Sequence, residues 1–251
     1  MKFIAGFFIL LLSFSSLAQT LIIHDAERER NIPISVSLPT EARACTLARK
    51  CKVAFLSAGN RVPYEQYRFI SERLNSLGYL TIAVDHELPQ DPPLSRAGDL
   101  YQTRIENWQR GAVTLAFLQQ QLPDRFTEYD FNQLLLVGHS NGGDISAWLA
   151  NEGKDYIVNL ITLDHRRVSL PKSDAVRVLS IRATEYPTAQ AVLLTDAEQR
   201  EYNGCVVAIT DSKHMDLSDY GTAWVKQTVA EVIEGFLSQQ SCVAIRHIHK
   251  T

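Results

Sequence analysis

The sequence predicts an α/β fold, with a mostly parallel central sheet and helices on both faces. Three observations predict it. Strand-like runs alternate with helix-like runs along the chain, the pattern of parallel strands joined by crossover helices. Residues 134–137 (Leu-Leu-Leu-Val) are continuously apolar, as expected for a central strand covered on both faces. No repeat, low-complexity segment or linker breaks the pattern, and 251 residues with 45% hydrophobic and 21% charged side chains suit one larger globular α/β domain.

The first 18 residues stand apart. Met1-Lys2 supplies a short basic start, residues 3–14 are almost wholly apolar, and Ser16-Leu17-Ala18 places small residues at both recognition positions of a cleavage site. This reads as a secretory signal peptide cut after Ala18. The apolar run is short for a membrane span, which needs about 20 residues. Residues 19–251 then form the α/β domain.

Residues 21–23 and 34–38 read as opening strands, with Pro33 just before the second. Residues 53–56 form a short buried strand. Residues 64–77 have helical spacing and end at Gly78, a good C-cap. Residues 80–84 are a strand ending at the polar Asp85-His86-Glu87, which either lines a pocket or merely ends the strand. Residues 87–98, with Pro89, Pro92 and Pro93, are a loop, and residues 99–122 read as a long helix stopped by Pro123. Residues 144–150 are helical, residues 157–163, 175–181 and 205–209 are strands, and residues 222–237 are an amphipathic helix. The tail beyond it carries His247 and His249 but no clear structural signal. Trp108, Trp148 and Trp224 sit at helical positions and read as core. Only about ten residues follow Leu163 before the next strand, so a large cap domain has no room there.

The formal charge is −3, and removing residues 1–18 removes one lysine and no acid, giving −4. A mildly acidic chain without a basic run gives no electrostatic reason for nucleic-acid binding. No second apolar stretch approaches spanning length, so no stable membrane insertion is expected after signal cleavage. All four cysteines lie in the mature part, where an oxidising compartment favours two disulfides. Of the three connectivities, Cys45–Cys51 and Cys205–Cys242 are favoured. The first pair is close in sequence, and the second would tie a late strand to the C-terminal tail. No CxxC or paired-histidine spacing suggests zinc.

The chemistry centres on Gly138-His139-Ser140-Asn141-Gly142, a G-x-S-x-G pattern that directly follows an apolar strand and opens a helix. Such a sharp turn strains the serine backbone and requires small neighbours. It also sets Ser140 at a helix N-terminus, which favours developing negative charge. A serine hydroxyl needs an adjacent base. His214, in the loop after the last strand, fits the chain order Ser, acid, His. For the acid, Glu185 follows the penultimate strand and is the first choice. Asp164, after the strand at 157–163, is the alternative, and Asp211 is a distant third. Arg166 and Arg167 beside Asp164 read as solvated side chains holding a loop by an ion pair, with attraction of an anionic substrate group as the other reading. The oxyanion donors are expected at the backbone N–H groups of Asn141 and Asn60, the latter in Ser57-Ala58-Gly59-Asn60.

Over nearly all of its mature length the chain resembles the α/β-hydrolase superfamily, and within it the dienelactone hydrolase and platelet-activating-factor acetylhydrolase-like branch. The residues that carry the resemblance are 25–39, Ser57 to Asn60, Gly138 to Gly143, and His214-Met-Asp-Leu-Ser-Asp219. It implies the α/β-hydrolase fold and an ester-hydrolysing triad, carried over as Ser140, His214 and an acid. Two departures stand out. Ala58-Gly59 occupies a place where many relatives have His-Gly, and Glu185 stands where Asp is common. The expected activity is hydrolysis of a small ester through an acyl-enzyme on Ser140, with no metal or organic cofactor, in an exported protein of the periplasm or the extracellular medium. The same triad would serve an acyltransferase or a peptidase. The fold also serves non-catalytic binding proteins, since fold does not fix function.

Overall fold

The structure is a computed structural model that describes residues 18–248, apart from the side chain of Gln190. The expected signal peptide therefore lies outside the described residues, except for Ala18.

The strands are β1 (Gln19–Asp25), β2 (Arg30–Ser37), β3 (Cys51–Ser57), β4 (Tyr79–Val84), β5 (Tyr129–His139), β6 (Ile157–Leu163), β7 (Arg177–Ala183) and β8 (Cys205–Ile209). The helices are α1 (Arg68–Ser76), α2 (Ile105–Gln121), α3 (Asn141–Asn151), α4 (Asp196–Glu201), α5 (Ala223–Leu237) and α6 (Cys242–His247). The strands form one sheet in the order β1-β2-β4-β3-β5-β6-β7-β8. Pairings β1–β2 and β2–β4 are antiparallel, and every later pairing is parallel.

Burial follows the two-residue period of the strands. Val53, Phe55, Leu134 and Leu136 face a core that includes Trp108 and Leu115 of α2 and Ile145 and Leu149 of α3. Ala54, Leu56, Leu135 and Val137 face the opposite core with Ile70 and Leu74 of α1, Val229 and Phe236 of α5 and Ile245 of α6. A strand sandwiched in this way must be apolar at every position, and hence 134–137 is a continuous apolar run.

Several boundaries differ from expectation for local reasons. Pro33 lies inside β2, opposite Ile22. Pairing with β4 begins only at Ile34, so the missing proline N–H costs no bond there, while its carbonyl accepts from Asp85 N–H. The helix expected at 99–122 begins later, because Asp99 Oδ1 accepts from Tyr101 N–H and Gln102 N–H in a turn that leads through a 3₁₀ segment into α2. The helix expected at 64–77 is confined to α1. The tail after α5 holds α6, capped by Ser241 Oγ, which accepts from Ala244 N–H. Trp224 is 49% exposed and so is not core, while Trp108 is fully buried.

The disulfides pair Cys45 with Cys51 and Cys205 with Cys242. The second staples α6 to β8. Residues 164–176 join β6 to β7 without a cap insertion, and no helix among the described residues is long and apolar enough to cross a membrane.

Candidate active site

The site lies at the C-terminal edge of the parallel sheet, where the hydrogen-bond ladder continues past the strand ends. Ser140 N–H donates to Leu163 O at 2.8 Å, Asp164 N–H to Ile181 O at 2.8 Å, and Thr184 N–H to Ser212 O at 3.2 Å. These bonds bring the first residues after β5, β6 and β7 into one row, joined at its end to the turn after β8.

Ser140 has φ 53° and ψ −119°, a backbone strained for any residue with a Cβ. The turn closes only because its neighbours are small. A Cβ on Gly138 would lie 2.2 Å from Gly142 O, and one on Gly142 would lie 2.2 Å from Ser57 O. Ser140 Oγ lies 2.9 Å from His214 Nε2, and His214 Nδ1 lies 2.5 Å from Asp164 Oδ2.

The structure thus brings Asp164, not Glu185, to the imidazole. Glu185 reaches the same residue but accepts from the His214 backbone N–H at 2.8 Å, through Oε2. Adjacent strands β6 and β7 both end beside His214, and a left-handed φ of 47° at Asp164 turns its short side chain inward. Asp211 is exposed in the turn after β8, with φ 60°. Burial disfavours the Asp164 charge, but the hydrogen bond from His214 and the guanidinium groups of Arg182 and Arg166 outweigh it and hold the carboxyl at about 2. Arg166 Nη2 lies 2.8 Å from Oδ2, and Arg182 Nη2 2.7 Å from Oδ1. Arg182 also donates to His165 O and Thr188 Oγ1, which fixes the loop that carries Asp164.

His139, read in the sequence only as the variable residue of the turn motif, has a structural role. Its Nε2 lies 3.0 Å from His214 O, a carbonyl that can only accept, so Nε2 carries the proton. Nδ1 must then accept, and Tyr67 Oη, 2.8 Å away, donates to it. Tyr67 Oη in turn accepts from Gly59 N–H at 2.9 Å. One chain of hydrogen bonds therefore links the Gly59-Asn60 loop, the strand before the serine and the backbone of His214. Burial first, and the neighbouring His214 second, push the His139 ring down to about 3, so it stays neutral.

The two expected oxyanion donors are held from outside. Asn60 Nδ2 donates to Glu87 Oε1 at 2.5 Å and Arg61 N–H to Glu87 Oε2 at 3.0 Å, so Glu87 clamps this loop rather than merely ending β4. Asn141 Oδ1 accepts from Trp108 Nε1–H at 3.0 Å, and its Nδ2 donates to Asn107 Oδ1 at 2.8 Å. Neither the Asn60 nor the Asn141 backbone N–H donates to a partner among the described residues. The cleft beside them has a volume of about 280 Å³.

The sheet order, the strand-turn-helix at Ser140 and the absence of a cap insertion define the α/β-hydrolase fold. Solved structures similar to this chain include Est1E from Butyrivibrio proteoclasticus, at 15% identity and a TM-score of 0.60 over 88% of this chain and 99% of that one. An S-formylglutathione hydrolase from Agrobacterium tumefaciens is similar at 10% identity and a TM-score of 0.62, over 91% and 97%. A dienelactone hydrolase from Anabaena variabilis is similar at 13% identity and a TM-score of 0.57, over 89% and 99%. At these identities the likeness is one of fold. No protein-family model matches the sequence, and no curated protein does.

Proposed function

We propose that the chain is an exported esterase that cleaves a small ester through an acyl-enzyme on Ser140. The observation that carries this is the unbroken row from Ser140 Oγ through His214 to the ionised Asp164. In this reading Ser140 Oγ attacks the ester carbonyl as its proton passes to His214 Nε2. Asp164 holds the ring with Nδ1 protonated and stabilises the imidazolium. The Asn60 and Asn141 backbone N–H groups receive the developing oxyanion, each worth about 10²–10³ in turnover. His214 then protonates the departing alkoxide and activates water to release the acid. Apart from the ester and water, every step uses groups of the chain itself.

The similar structures named for ester-cleaving enzymes support this activity, and the cleft volume supports a small substrate. Two disulfides fit an oxidising compartment, in line with residues 1–18 as a signal peptide and residues 19–251 as the mature domain. The test is the intact mass of the protein before and after a fluorophosphonate probe, with peptide mapping. A single adduct on Ser140, lost in His214→Ala, is expected. Unlabelled, well-folded protein would overturn the assignment.

A further inference from the structure

Asp144 lies in the first turn of α3, one turn after the serine, and its N–H donates to Ser140 O at 3.1 Å. An acidic residue there suits the helix dipole, but an exposed carboxylate would serve that purpose equally well. Asp144 is instead fully buried, and a buried carboxylate is costly unless other groups bind it. Its partners lie outside α3. Oδ1 accepts from the backbone N–H groups of Arg166 at 3.3 Å, Arg167 at 2.8 Å and Val168 at 2.9 Å. These three residues follow closely on Asp164, whose Oδ2 meets His214 Nδ1.

The same segment is held from two sides. Arg182 of β7 donates to His165 O, and Asp144 of α3 gathers the next three N–H groups on one oxygen. The contact with α3 is close, since a Cβ on Gly143 would lie 2.7 Å from His165 Cβ. Asp164 itself has a left-handed φ of 47°, a conformation that persists only where the surrounding structure imposes it. Convergence of three successive N–H groups on a fixed oxygen imposes such a path. One helix therefore carries Ser140 at its start and, a turn later, the group that locates the chain just after Asp164. Asp144 Oδ2 has no hydrogen-bond partner among the described residues, so the hold rests on Oδ1.

We propose that Asp144 is a positioning residue, which sets Asp164 against His214 by holding the backbone of residues 166–168 and so ties the acid to the helix that presents Ser140. This rests on the esterase reading with Asp164 as its acid, so position and turnover are read separately. In hydrolysis of 4-nitrophenyl acetate, Asp144→Ala should lower kcat about 10²-fold, the cost of a displacement of about 1 Å. The same change made in Asp164→Asn should cost less than about tenfold, because the carboxylate it positions is already gone. A merely structural role would cost the same in both backgrounds. Asp144→Asn keeps the acceptor Oδ1 and should return kcat to within about tenfold of wild type, and it tests the proposal even if the alanine variant fails to fold. Proton NMR reads position without turnover. The downfield resonance of the proton between His214 Nδ1 and Asp164, identified by its loss in Asp164→Asn, should vanish in Asp144→Ala and persist in Asp144→Asn. Equal losses in the two backgrounds, folded but inactive Asp144→Asn, or folded Asp144→Ala that keeps both turnover and the resonance overturns the proposal. Protein that shows this pattern of resonances but hydrolyses no ester even as wild type would sink the esterase reading and leave the positioning role standing.

Discussion

Replacing Asp164 by asparagine tests the assignment of the acid. In the folded protein Asp164 Oδ2 holds His214 Nδ1 at 2.5 Å, and its charge faces Arg166 and Arg182. Asparagine keeps the shape but removes the charge, and it can turn its NH₂ toward Nδ1, favouring the tautomer that cannot accept the Ser140 proton. A loss of about 10⁴ in kcat follows, or about 5.5 kcal/mol of transition-state stabilisation. Stability should fall as well, because Arg182, almost fully buried, loses its carboxylate, a change of about 3–5 kcal/mol for a broken buried pair. Glu185→Gln provides the contrast. Glutamine can still accept the His214 backbone N–H, so only the charge assistance of an exposed bond is lost, about 1 kcal/mol or less than tenfold in rate. Both variants are assayed for hydrolysis of 4-nitrophenyl acetate, with urea unfolding as the control for folded protein. Near-normal turnover in folded Asp164→Asn, together with a thousandfold loss in Glu185→Gln, would refute the assignment and return the acid to Glu185.

Three further outcomes are expected. Tyr67→Phe leaves the Gly59 N–H without its acceptor and His139 without its donor, so stability should drop by about 1–3 kcal/mol, and kcat should fall as the adjacent Asn60 donor loosens; urea midpoints and turnover check this. Opening the Cys205–Cys242 disulfide with paired alanines should cost about 4 kcal/mol, against about 2 for Cys45–Cys51, because the loop it closes is longer, and thermal melts of the two double variants would give the order. His86, His139 and His165, each pushed down to about 3 chiefly by burial, stay neutral when folded but protonate near pH 6.5 once unfolded. The unfolded chain then holds more protons across that window, so stability declines as pH falls below about 6.5, by about 1.4 kcal/mol per unit for each histidine. Asp164 adds a further loss between about pH 4 and its folded value of about 2. Urea midpoints unchanged between about pH 7 and 5 would contradict neutral burial of these rings.

Much of the fold was written locally. The apolar run at 134–137 reports a strand buried on both faces, and the glycines around Ser140 report a turn that no larger residue closes. Helix α4 was also legible, through the capping box of Thr195 and Glu198. The choice between Asp164 and Glu185 was not legible. Both follow a strand, both precede His214, and both touch it in the folded protein. One meets the ring and the other the backbone, and that difference depends on how neighbouring strands end beside each other in space.

The sequence by itself determined the sheet class, the serine turn and the histidine downstream of the last strand, because each rests on residue spacing over a few positions. Only the tertiary structure decided which carboxylate meets the His214 imidazole, the Tyr67–His139 link between the Asn60 loop and His214, and the gathering of Arg61, Arg96, Arg104 and Arg167 at one cleft. Hydrogen bonds and charge interactions act across distances in space, and residues more than a hundred positions apart become neighbours only when the crossovers between parallel strands bring the C-terminal ends of those strands to the same edge.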